Sequence, residues 1–136
     1  MTRREAREYA IGLLFEYSFR TAEDAGEIYS SAVEVRDIPE DDFVRSLYTG
    51  VIDNLEAVDA AISANLHGWK PERISGVSRA ILRLGVYEIL FCDTPDESAV
   101  NEAIELVKKY DDEKARPFVN GVLNAVMKGK GTEASV

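Results

Sequence analysis

The sequence predicts an all-α fold, a compact bundle of about seven helices, on three observations. Apolar residues recur at steps of three and four along successive segments. Helix start signals precede several of those segments, and no pair of runs alternates as two strands would. The 136 residues suit one domain, or two small subdomains sharing a core, and a 46% hydrophobic share with few Gly and Pro argues against disorder.

The first helix opens on Thr2 and Glu5, which have the spacing of a capping box, and Ala6, Tyr9, Ala10, Leu13, Leu14 and Tyr17 form its inward stripe. Arg3 and Arg7 share one face; Arg4 and Glu8 share another and have the spacing of an ion pair. A shorter helix is expected near 22–32. Asp37-Ile38-Pro39-Glu40 supplies the next start signal, with Pro39 in the first turn. Phe43 to Leu66 continues the helical pattern, with close packing at Gly50 and a break near Asn54–Ala57. His67-Gly68-Trp69-Lys70-Pro71 reads as a connector.

Apolar residues surround most of Val77–Cys92, as in the central helix of a bundle. Asp93-Thr94-Pro95-Asp96 ends it and caps a helix near Glu97–Tyr110, whose stripe is Val100, Ala103, Ile104 and Val107. A turn at Asp111–Ala115 leads to a last helix with Pro117 in its first turn, reaching about Lys128. Gly121 is expected at a close helix contact, and the final residues, 131–136, read as a loose tail.

Charge is unevenly distributed. The net charge is -9, yet Arg3, Arg4 and Arg7 cluster at the start. Residues 114–130 hold Lys114, Arg116, Lys128 and Lys130 with no acid, while 23–42 hold eight acids and only Arg36. Bulk nucleic acid would be repelled; two local basic patches still allow a confined contact with an anion, first of all RNA or DNA. Guanidinium forks near a helix start suit phosphate. Solvation of the first helix is the competing role for the three arginines. Lys114 and Arg116 extend the track if the fold brings them near Arg3–Arg7. Arg79 and Arg83 lie four apart on the central helix, and Arg83 is equally suited to an ion pair across the bundle.

Groups for catalysis are sparse. His67 has no histidine partner, Cys92 is a single packed thiol, and Glu102 with Glu105 is a poor carboxylate pair beside Lys108 and Lys109. The expectation is no enzyme, no cofactor and no metal. Tyr9, Phe15, Tyr17, Phe19 and Phe118 read first as packing rings, and only an exposed ring would stack on a base. One cysteine, no secretory leader and no spanning segment point to a cytoplasmic protein.

Several segments, in order, resemble the NusB transcription antitermination family. Arg3-Arg4-Glu5-Ala6-Arg7-Glu8-Tyr9-Ala10 is similar to its opening arginine signature, and Trp69 with Arg73-Ile74 to the approach to its central helix. Arg79 through Glu88, Val100 through Lys108 and Phe118 through Asn124 resemble three further motifs. The resemblance implies two packed helical subdomains, placed at about 1–70 and 71–130 of one domain. It implies binding of boxA-type single-stranded RNA together with the ribosomal protein NusE, within an antitermination complex on RNA polymerase. It assigns RNA contact to Arg3, Arg4 and Arg7, with Lys114 and Arg116 beside them, and a partner face to Arg79, Glu88 and Asn101. The alternative is a helical interaction or homodimerisation module without RNA contact. Related domains occur fused to ribosomal RNA methyltransferases, and 136 residues leave no room for that catalytic domain.

Overall fold

A computed structural model describes residues 1–20, 24–36 and 38–134, with side chains up to residue 130. Seven α-helices and a single 3-10 turn account for the regular structure of the described residues, and none forms a strand. The helices are α1 (Arg3–Phe19), α2 (Ala25–Val35), α3 (Asp42–Asp53), α4 (Leu55–Ala64), α5 (Gly76–Phe91), α6 (Asp96–Tyr110) and α7 (Ala115–Ala134), with the 3-10 turn at Pro71–Arg73. They form a compact bundle of two packed subdomains.

Local chemistry sets most starts. Thr2 Oγ1 accepts from the Glu5 N–H while Glu5 accepts from the Thr2 N–H, both at 3.1 Å, which is the expected capping box. Asp41 accepts from the Phe43 and Val44 N–H groups, and Ser75 from that of Ser78. This corrects the expected entry to α3: Asp41 caps the helix and Pro39 lies outside it, because an aspartate satisfies two early N–H groups that proline cannot serve. Asp37 of that expected signal, like residues 21–23, lies outside the described residues. The break falls at Asn54, which ends α3 and begins α4. No side chain caps α6; Asp96 and Glu97 in its first turn and Lys108 and Lys109 in its last oppose its dipole instead.

α5 is the axis of the molecule, packed by α1, α3, α4, α6 and α7. Ile81, Leu82, Leu84, Val86 and Ile89 are buried around its circumference, each contributing about 1.5–3 kcal/mol by leaving water. α1 lies antiparallel to it, since Arg7 reaches Glu88 near one end and Phe15 and Phe19 cover Gly76 at the other. Close approach is enforced at Gly50, where a side chain would run into the phenol of Tyr87, and at Gly85, against the methyls of Leu123. Gly121 is the exception to expectation: it is exposed on the outer face of α7, with no atom near its missing Cβ. Arg83 does bridge the bundle, its Nε and Nη2 meeting Asp59 of α4 at 2.9 and 3.0 Å.

Two tethers fix the ends of α5. At its start, Asp111 accepts from Ser75 and Ser78 hydroxyls, joining the α6–α7 turn to α5. Although burial works the other way, those hydroxyls and the Asp112 N–H hold the Asp111 carboxyl below its ordinary range. At its end, Lys130 Nζ donates to the Ile89 carbonyl at 2.7 Å and reaches Asp96 at 3.1 Å. Past this anchor α7 runs to Ala134, beyond the expected end at about Lys128.

Candidate nucleic-acid interface

The three leading arginines have three different fates. Arg3 is exposed and lies over the Phe43 ring, its guanidinium carbon 4.6 Å from the centroid. Arg4 is more than half exposed, and its Nε and Nη2 each donate to one oxygen of Glu102 at 3.0 Å. Arg7 is buried: its Nε and Nη2 grip both oxygens of Glu88 at 2.8–3.1 Å, and the Thr94 hydroxyl adds a 3.3 Å bond. Burial alone would make the Arg7 proton easier to lose, and the hydrogen bonds and charge of Glu88 more than offset that. Arg4 and Glu8 do not pair with each other: Arg4 crosses to Glu102, and Glu8 takes Lys109 at 2.7 Å. Neighbouring helices supply nearer, better aligned partners than the next turn of α1.

These side chains line a cleft of about 770 Å³ between the start of α1, the start of α3 and the α5–α6 turn. Arg3 and Arg4 stand on its rim, Arg7 and Glu88 form its floor, and Phe91, 47% exposed, is on its wall. Cys92 also lines it, with burial pushing its thiol up, which leaves it poor in thiolate.

Lys114 and Arg116 do not join this cleft. Asp111 ties their turn to Ser75 and Ser78, and Lys114 shares a pocket with Trp69, Lys70, Arg73 and Phe118. From Ser78 to Glu88 the rise along α5 is about 15 Å, so the two basic patches sit at opposite ends of the α1–α5 pair. Residues 67–73 are the part of the second patch that spacing alone did not assign. Trp69 is 53% exposed with its ring 4.8 Å from that of Phe118, and Lys70 and Arg73 are exposed beside it. His67 adopts a left-handed φ of 48°, followed by Gly68 at 90°, which turns the chain to present that ring.

The expected partner residues are not brought together. Glu88 is 2% exposed and fully engaged by Arg7 and Thr94, so it offers no surface to another protein; this corrects its assignment to an exposed face. Asn101 is exposed on α6. Arg79, whose Nη2 donates to the Pro71 carbonyl at 2.9 Å, lies beside Phe19 and Gly76. There the structure reveals what residue patterns concealed. Phe15 and Phe19, read as packing rings, are 38% and 68% exposed and meet edge to face at 4.8 Å. Phe15 and Tyr110 flank an apolar groove floored by Ile11, Gly12, Val77 and Ala80. Phe15 falls one residue outside the inward stripe of α1, and that offset is the signal that could have identified it.

Glu102 and Glu105 are engaged separately, by Arg4 and by Lys108, and make no catalytic pair. Among the described residues no three His, Cys, Asp or Glu side chains are grouped to hold a metal, and no helix is long and apolar enough to cross a membrane.

Comparison with known proteins agrees with this architecture. The NusB family model matches residues 4–128. The transcription antitermination protein NusB of Clostridium perfringens is 43% identical over 133 residues, covering 94% of this chain and 98% of the relative. The solution structure of NusB from Aquifex aeolicus superposes with a TM-score of 0.81 at 36% identity, covering 96% and 90% of the two chains. A crystal structure of antitermination factors NusB and NusE in complex with dsRNA contains a chain with a TM-score of 0.80 at 34% identity, covering 93% and 96%. This chain belongs to the NusB family.

Proposed function

We propose that this chain is an antitermination factor that binds boxA-type RNA jointly with NusE and supports RNA polymerase through ribosomal RNA operons. The observation that carries the reading is the exposed pair Arg3 and Arg4 on the rim of a cleft, in a chain whose net charge is -9. Cations held in place against an acidic background serve an oriented contact with phosphate. NusB-family proteins are non-catalytic RNA-binding regulators, and this chain is accordingly a binding protein and not an enzyme.

Roles divide by exposure. Arg3 and Arg4 contact phosphate, and Arg7 positions the helix that carries them. Lys114 and Arg116, joined by Lys70 and Arg73, form a second phosphate contact, with Trp69 as a ring on which a base stacks. NusE docks on the apolar groove bordered by Phe15 and Tyr110, extending over Phe19 to Arg79 in the adjoining pocket, and adds basic surface to the assembly. A wholly acidic partner would work against this arrangement. A second copy of the chain is the competing occupant of the groove.

The test is a titration of boxA RNA, a scrambled single strand and an RNA duplex, each with and without NusE, with molar mass measured in parallel. A preference for boxA that strengthens with NusE is expected, in a complex holding one copy of this chain. Equal affinity for boxA and the scrambled strand in the presence of NusE would refute the boxA assignment. A dimer that NusE cannot dissociate would favour the homodimerisation reading.

A further inference from the structure

Arg4 is already occupied in the free protein. Glu102 presents two oxygens to its Nε and Nη2, each at 3.0 Å, which is the fork-to-fork geometry a phosphate would use. The hydrogen bonds of Arg4 hold the Glu102 carboxyl below the usual carboxylate range, so this internal anion is fully charged at neutral pH. The other charges facing Arg4 are Glu8 and Glu105, taken by Lys109 and Lys108, and Arg7, taken by Glu88.

We propose, resting on the RNA reading above, that Glu102 is a specificity-determining residue: an internal phosphate surrogate in the fork of Arg4, displaced only by an RNA strand anchored at neighbouring points. An exposed ion pair is weak enough for such exchange, since Arg4 is 57% and Glu102 24% exposed. A free anion must compete at its bulk concentration with a tethered carboxylate. A strand already held at Arg3 competes at a high effective concentration, and so succeeds where the single anion fails. Glu102 thereby discriminates against nucleotides, inorganic phosphate and other small anions.

The exchange has a thermodynamic signature. When Arg4 passes from Glu102 to a phosphate, the phosphate releases a counterion while the freed carboxylate takes up a cation in its place, so the exchange adds little to the salt dependence of binding. With Glu102 made neutral, Arg4 reaches phosphate as an uncompensated cation, and the phosphate releases its counterion to full effect. The slope of log K against log salt should then steepen by about 0.7 for a single strand.

The experiment measures boxA binding over a salt series, with NusE present, for the wild type, Glu102→Gln, Glu105→Gln, Arg4→Ala and the double variant Arg4→Ala/Glu102→Gln. Each variant is first matched to the wild type in its urea midpoint, with Glu102→Ala held as a second neutral variant. Glu102→Gln is expected to tighten binding about three- to fivefold at low salt and to steepen the slope. Inorganic phosphate should become a measurable competitor, and the gain should vanish when Arg4 is absent. A gain that survives Arg4→Ala, or that Glu105→Gln reproduces in full, would mean that only bulk charge matters and would overturn the proposal. Weaker binding by Arg4→Ala with no gain from Glu102→Gln overturns this inference while leaving the RNA reading intact. No effect of Arg4→Ala overturns the RNA contact at Arg4, and the surrogate role with it.

Discussion

Glu88→Ala is expected to destabilise the fold by about 3–5 kcal/mol, seen as a fall in the urea midpoint at unchanged slope. The side chains of Arg7 and Glu88 are 7% and 2% exposed, and removal of the carboxylate leaves a guanidinium buried without its counter-charge. Arg7→Met/Glu88→Leu should recover most of the loss, because neither charge then has to be desolvated. That double variant also separates folding from binding. If Arg7 acts by positioning α1, the charge-free pair keeps its RNA affinity; if Arg7 itself holds phosphate, the variant folds and loses it. A loss below about 1 kcal/mol for Glu88→Ala would place the pair in the class of solvent-reached ion pairs and contradict its role as the floor of the cleft.

Phe15→Ala is expected to weaken NusE binding about 30-fold, equivalent to roughly 2 kcal/mol, the threshold of an aromatic hot spot. The ring is 38% exposed, packs edge to face on Phe19 and borders the apolar groove. Its truncation therefore removes contact area for a partner while leaving the buried stripe of α1 in place. Calorimetric titration with NusE measures the effect, and an unchanged urea midpoint shows that the fold is retained. Asn101→Ala, on the exposed face of α6, should change the affinity little. Equal effects of the two variants would return the partner face to α6.

The helices and the central position of α5 were legible because burial imposes a period. Ile81, Leu82, Leu84, Val86 and Ile89 could be read as a helix enclosed on several sides, and the Thr2–Glu5 capping box lies within four residues of chain. What sequence could not assign was the pairing of charges across the fold. Arg4 and Glu8 have ideal local spacing, yet each finds its partner on α6, 98 and 101 residues away along the chain. Arg7 looks like Arg3 by spacing, and only the approach of α5 shows that one is enclosed and the other open. For the same reason Glu88 passed for a surface residue. The offset of Phe15 from the inward stripe was a local signal of its exposure, but how far it and Phe19 stay open depends on which neighbours are missing, and that is set by the packing of α1 on α5. The distance between Lys114 and the leading arginines is likewise set by the antiparallel pairing of α1 with α5 and by the tether at Asp111.

The role of the α1 arginines in RNA binding is tested most directly by Arg3→Ala/Arg4→Ala, titrated with boxA RNA across a salt series in the presence of NusE. Arg7 is left in place, so the urea midpoint should match the wild type within about 1 kcal/mol, as expected for exposed positions. The account predicts a loss of affinity of about tenfold or more at low salt, with a salt slope shallower by at least about 0.7. Wild-type affinity and slope in a correctly folded variant would contradict it.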